Sequence, residues 1–170
     1  MPLAVGTRAP DFTLSTKTAD GPKQIKLSDN FGKKHTLLLF FPMAFTGTCT
    51  EEMCSVGNGL REYEQMNCQV YGISGDNPFA QEAWAQKEKI GVTLLSDYEH
   101  KVAKDYGVVY DSFLPQIKIN CTGSPAASSF SVMSYITFEP CPPKSTMAVG
   151  RSSCKAISRR SATGSELSST

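Results

Sequence analysis

The sequence predicts an α/β fold, a sheet with flanking helices and an N-terminal β-hairpin, and three observations carry that prediction. Leu37 to Phe41 is an unbroken apolar run, the pattern of a strand covered on both faces. Met53, Val56, Leu60, Tyr63 and Met66 then recur three or four residues apart, which gives a helix one apolar face. A second strand, Cys68 to Ser74, follows directly. Strand, helix and strand in that order favour a layered sheet with right-handed crossovers.

The remaining elements extend the alternation. Near the start, Pro10 to Leu14 and Gln24 to Leu27 alternate in polarity as a half-exposed hairpin does. Asn77-Pro78 supplies a cap and a proline at the first helical position. Phe79, Ala83, Trp84 and Ile90 are expected to form that helix's apolar stripe, with Gly91 as its stop. Val92 to Ser96 reads as a third strand, and His100 to Tyr106 as a short helix ending at Gly107.

After residue 120 the composition changes. Eighteen of the last 50 residues are Ser or Thr, and their net charge is +3 against −2 for the first 120. The expected organisation is a core over 1–120, further strand structure over 121–140, and a Ser-rich basic tail over 141–170 with irregular structure. Phe130 to Phe138 is the candidate last strand. An altered reading frame or a replaced C-terminus would account for so abrupt a change, and intact-mass measurement of the natural protein is the test of that hypothesis.

Composition closes several functional classes. Seventeen Lys and Arg against 16 Asp and Glu leave a formal charge of +1, which offers no footprint for nucleic acid or anionic lipid. No apolar run approaches the roughly 20 residues of a membrane helix, and the N-terminus lacks a secretory pattern. The expectation is a soluble, cytoplasmic protein. Six cysteines in that compartment are read as thiols rather than a disulfide framework. There is no C-x-x-C, and His35 and His100 stand far from any Cys pair, so no zinc site is expected.

The chemistry gathers in the stretch Phe41-Pro42-Met43-Ala44-Phe45-Thr46-Gly47-Thr48-Cys49-Thr50-Glu51-Glu52-Met53-Cys54, between the buried strand and the first helix. Thr48 and Glu51 have the spacing of a capping box, which puts Cys49 at the first helical position. Unpaired amides and the positive end of the helix dipole there favour a thiolate. Glu51 and Glu52 oppose it, so a nearby cation is wanted. The plainer alternative makes Cys49 a small buried apolar residue, Thr46 a turn hydroxyl and Pro42 a strand terminator.

Pro42, Thr46 and Cys49 stand in the P-x-x-x-T-x-x-C pattern of the peroxiredoxins, and the chain resembles that family over roughly residues 3 to 114. Ala9-Pro10-Asp11-Phe12, Gly72-Ile73-Ser74, Phe79-Ala80 with Trp84, and Leu94-Leu95-Ser96-Asp97 are similar to it as well. The resemblance implies a thioredoxin-like fold and thiol-dependent reduction of hydrogen peroxide or alkyl hydroperoxides, without cofactor. It assigns Cys49 as the peroxidatic thiolate, Thr46 as the hydroxyl that orients the peroxide, and Pro42 as the cover over the sulfur. Cys54, five residues on, resembles the resolving cysteine of the Q-type members. Recycling by thioredoxin or a similar thiol, and a homodimeric assembly, are implied too.

Two features qualify these assignments. Regular helix geometry puts the Cα atoms of residues five apart at roughly 8.6 Å, beyond the about 7 Å that a disulfide tolerates. The first turns must therefore unwind if Cys54 resolves Cys49, and otherwise Cys54 is simply packed beside Met53. The family also carries an Arg some 70 to 80 residues after the attacking cysteine, yet this chain has no Arg between Arg61 and Arg151. Without that cation the thiolate has less support, and Glu52 has no such Arg to engage. The alternative function is accordingly an impaired, peroxiredoxin-like thiol sensor or interaction protein; a thioredoxin-type disulfide oxidoreductase is disfavoured by the absent C-x-x-C.

Overall fold

The structure, a computed structural model, describes residues 3–4, 6–114, 119–122, 134–138 and 147–149. Its main sheet has seven strands in the order β2-β1-β5-β4-β3-β8-β9. The hairpin is β1 (Thr13–Thr18) and β2 (Gly21–Lys26), with Leu14 opposite Ile25. The parallel centre is β3 (His35–Phe40), β4 (Cys68–Ser74) and β5 (Thr93–Ser96), with Leu39 beside Gly72 and Gly72 beside Leu94. Helices α1 (Gly47–Asn58) and α2 (Leu60–Gln65) connect β3 to β4, α3 (Pro78–Glu88) connects β4 to β5, and α4 (Lys101–Asp105) follows. Strands β6 (Val109–Leu114) and β7 (Ile119–Thr122) form a separate antiparallel pair. Strand β8 (Ser134–Phe138) lies antiparallel to β3, and β9 (Met147–Val149) to β8.

The central strands bury both faces, and the pleat divides their side chains between two cores. Leu38, Phe40, Tyr71, Ile73 and Leu95 pack on one face with Phe12, Leu27, Val102 and Tyr106. Leu37, Leu39, Phe41, Val70 and Leu94 face the other, against Cys49, Met53 and Trp84. Alternate residues of one continuous apolar run thus serve opposite sides, as period-two geometry requires. Gly72 brings α1 close to the sheet, because a Cβ there would lie 2.7 Å from Met53 Cε and 2.8 Å from Leu94 Cδ2.

Several local expectations are corrected. The helical spacing from Met53 to Met66 covers two helices, broken at Gly59, whose backbone entropy disfavours helix interior. Met66 itself is 59% exposed. In α3 the Asn77 cap accepts from Ala80 N at 2.9 Å, but the buried residues are Gln81 and Trp84, while Phe79 and Ala83 face solvent. Gln81 is buried through bonds from its amide to Ser74 Oγ and Leu95 O. The helix ends at Glu88, two residues before Ile90, with Lys89 left-handed at φ 56°.

The segment after residue 120 contributes to the main sheet through β8 and β9. Strand β8 occupies the second half of the expected Phe130–Phe138 strand, and β9 lies within the stretch expected to be irregular. Residues 139–146 and 150–170, including Cys141, Arg151, Cys154, Arg159 and Arg160, lie outside the described residues. No helix among the described residues is long and apolar enough to cross a membrane.

Candidate active site

Cys49 sits at the C-terminal end of the central parallel strands, where β3 gives way to α1. Pro42 and Ala44 are buried, while Phe45 is left-handed at φ 64° and 54% exposed. The loop is tied to the next crossover by Asp76, whose Oδ2 accepts from Ala44 N at 2.8 Å and from Ser74 Oγ at 2.8 Å. Ser96 Oγ donates to Asp76 O at 2.6 Å, so the ends of β4 and β5 brace the same turn.

The helix starts earlier than the expected capping box. Thr46, not Thr48, is the N-cap (φ −86°, ψ 145°), and its carbonyl accepts the first helical bond from Thr50 N at 3.0 Å. Cys49 is therefore the third helical residue rather than the first. The left-handed Phe45 ends the loop two residues sooner than the Thr-Glu spacing suggests. Cys49 still lies in the first turn, near the positive end of the dipole. The Thr46 hydroxyl caps no amide; it donates to Met43 O at 3.1 Å and also lies within hydrogen-bonding reach of the Cys49 sulfur.

Cys49 is 1% exposed. Burial pushes its thiol above the ordinary value; the hydrogen bonds from Thr46 and the Met43 backbone pull it down, and the charges of Glu52 and Asp76 raise it again. The sequence-level expectation of a dipole-favoured thiolate is thus outweighed by desolvation and two neighbouring carboxylates. The segment Gly123–Phe130, where an arginine would be sought, lies outside the described residues. With the thiol pKa raised, the thiolate fraction climbs about tenfold per pH unit through neutrality. Glu52→Gln removes one of the opposing charges, so it is expected to raise the rate of Cys49 alkylation at pH 7 by about two- to tenfold. The measurement is the pH–rate profile, whose midpoint should move to lower pH.

Cys54 is half-buried on α1, and its sulfur meets Glu88 O of α3 at 3.6 Å. It lies apart from Cys49 along an intact helix, and Cys49, Cys54 and Cys68 are all free thiols. Cys68 is half-buried at the start of β4, with its thiol also pushed up by burial. Three residues that sequence reasoning did not single out complete the site. Asp76 holds the loop, and Thr50 donates to Thr46 O at 2.8 Å while accepting from Trp84 Nε1 at 3.2 Å. Gln81 joins Asp76 through Ser74. Polar residues just beyond the ends of apolar strands, as in Ser74-Gly75-Asp76, were the available signal.

Among the described residues no cluster of three or more His, Cys, Asp or Glu is placed to hold a metal. Cys49 thus lies buried in the first turn of α1, within reach of the Thr46 hydroxyl and seven residues after the buried Pro42. The sequence profile of the AhpC/TSA family matches residues 5–132. The chain belongs to that family. Its match runs past the change of composition at residue 120, to within the segment leading to β8.

Peroxiredoxin-1 of Gallus gallus is 36% identical over 113 residues, covering 62% of this chain and 56% of that protein. The chloroplastic 2-Cys peroxiredoxin BAS1 of Spinacia oleracea is 34% identical over 116 residues, covering 64% and 43%. The chain thus spans about half the length of these relatives. The crystal structure of reduced Prx3 from Vibrio vulnificus in complex with H2O2 superposes with a TM-score of 0.70 at 18% identity, covering 88% of this chain and 89% of that one. That likeness establishes the thioredoxin-like fold of the family, with its N-terminal hairpin and flanking helices.

Proposed function

We propose that the chain is a thiol-dependent peroxidase that reduces hydrogen peroxide or alkyl hydroperoxides through Cys49. The observation that carries this reading is the placement of one sulfur within the first turn of α1, in reach of the Thr46 hydroxyl, on a scaffold of the AhpC/TSA family. In the reaction the Cys49 thiolate attacks one peroxide oxygen and the O–O bond breaks. The alkoxide or hydroxide takes a proton, leaving Cys49 as a sulfenic acid. Thr46 aligns the peroxide with the sulfur, and the amides of the first turn stabilise charge on the oxygens. Buried Pro42 limits water at the sulfur, offering shape without a donor.

Cys54 then resolves the sulfenic acid: its thiol attacks Cys49, water leaves and a disulfide forms. Thioredoxin or a similar thiol returns both residues to the reduced state, and a reducing cytoplasm suits that cycle. A homodimer is the proposed assembly. Glu52 takes no part in bond making in this scheme; its charge acts on the sulfur.

Steady-state peroxide consumption with thioredoxin and its reductase tests the reading. Sustained turnover is expected. A single stoichiometric oxidation without turnover would instead favour the thiol sensor, which the raised Cys49 thiol supports as a second reading.

A further inference from the structure

Thr50 carries two hydrogen bonds that the peroxide chemistry does not use. Its hydroxyl donates to Thr46 O at 2.8 Å and accepts from the indole Nε1 of Trp84 at 3.2 Å. Thr46 O also receives the backbone bond from Thr50 N at 3.0 Å, so one residue closes the first turn twice. Trp84 is wholly buried on α3, with its ring 5.4 Å from Phe41 and 6.4 Å from Phe45. The first turn of α1 is therefore fastened, through one hydroxyl, to a side chain fixed in the core.

We propose that Thr50 and Trp84 form a latch that sets how often the first turn of α1 opens. The inference rests on the peroxidase reading of Cys49. Cys54 needs that opening, since regular helix geometry holds the two Cα atoms roughly 8.6 Å apart, and Cys49 is 1% exposed while the turn is closed. In the closed state a second peroxide meets the sulfenic acid: sulfur takes another oxygen to become a sulfinic acid, and the peroxide leaves as water or an alcohol. In the open state the Cys54 thiol attacks the same sulfur, releasing water and forming the disulfide. Thr50 thus acts as a positioning residue that apportions Cys49 between irreversible oxidation and recycling.

Thr50→Val keeps the β-branched shape and removes the hydroxyl, whereas Thr50→Ser keeps the hydroxyl. The reduced proteins are compared by the rate at which a bulky maleimide alkylates Cys49, across pH. Losing both hydrogen bonds of the hydroxyl, each of ordinary strength, should raise that rate about ten- to a hundredfold in Thr50→Val, by the same factor at every pH. Thr50→Ser should stay within about twofold of the parent. Under excess peroxide, the ratio of Cys49–Cys54 disulfide to Cys49 sulfinic acid should rise in Thr50→Val by a similar factor. Emission from Trp84, the chain's one tryptophan, should change in Thr50→Val and not in Thr50→Ser.

Equal alkylation rates in parent and Thr50→Val would overturn the latch, as would a Thr50→Ser variant that behaves like Thr50→Val. If Thr50→Val fails to fold, Trp84→Phe removes the donor from the other end: its Cys49 alkylation rate should rise about three- to tenfold and its disulfide-to-sulfinic ratio with it, and a rate equal to the parent's would overturn the latch. A parent protein whose Cys49 resists peroxide would refute the peroxidase reading, while the alkylation comparison still decides the latch.

Discussion

Cys49→Ser is expected to lose peroxide turnover by at least about a thousandfold, because a serine hydroxyl at neutral pH is not ionised and cannot replace a thiolate nucleophile. The fold should survive the change. Cys49 is a small buried residue whose packing neighbours, Met53, Phe41 and Trp84, remain in place, and oxygen for sulfur is a modest loss of volume. Peroxide consumption measured with the thioredoxin system separates this variant from Cys68→Ser. Cys68 is also a free thiol with its pKa pushed up by burial, but it stands at the opposite end of the sheet's parallel strands, so its replacement should leave turnover within about twofold. Loss of activity in both variants, or in neither, would separate activity from the helix start.

The largest stability effect is expected from Phe40→Ala. Phe40 is fully buried in the centre of the sheet, with its ring 5.6 Å from Tyr106, and it joins the end of β3 to the core beneath α4. Truncating such a ring costs about 3–5 kcal/mol, a large part of the about 5–15 kcal/mol that typically holds a domain together. Urea denaturation should show the midpoint falling sharply with little change in slope. Met66→Ala is the matched control. Met66 has the right helical spacing for the apolar face, yet it is 59% exposed just beyond α2, so its removal should cost no more than about 0.5 kcal/mol.

That contrast between Phe40 and Met66 shows which signals in the chain were legible. An apolar run has only one economical solution, burial on both faces, and Leu37 to Phe41 are all buried as the pattern requires. Asn77-Pro78 fixes a helix start by local chemistry alone, and the cap bond forms. Helical periodicity is weaker evidence, because it assumes a continuous helix. Gly59 breaks the phase of one, and in α3 an amide bonded to Ser74 and Leu95 takes the buried place that spacing gave to Phe79.

At the site, the stretch Pro42, Thr46 and Cys49 could be read because its residues are consecutive enough to share one loop and one helix turn. The true cap could not be, since Thr46 and Thr48 are both competent and the choice rests on the left-handed turn at Phe45. Asp76 meets Ala44, and Trp84 meets Thr50, only through tertiary contacts spanning 32 and 34 positions in the chain. The balance of charge at the sulfur is likewise a property of burial, which spacing alone does not specify.

The most direct test is to treat the reduced protein with one equivalent of H2O2 and map the oxidised cysteine by peptide mass, trapping sulfenic acid as it forms. Oxidation confined to Cys49, followed by its linkage to Cys54 with loss of water, is the expected result. Oxidation at Cys68 with Cys49 left as a thiol would contradict the assignment of the reactive sulfur to the first turn of α1.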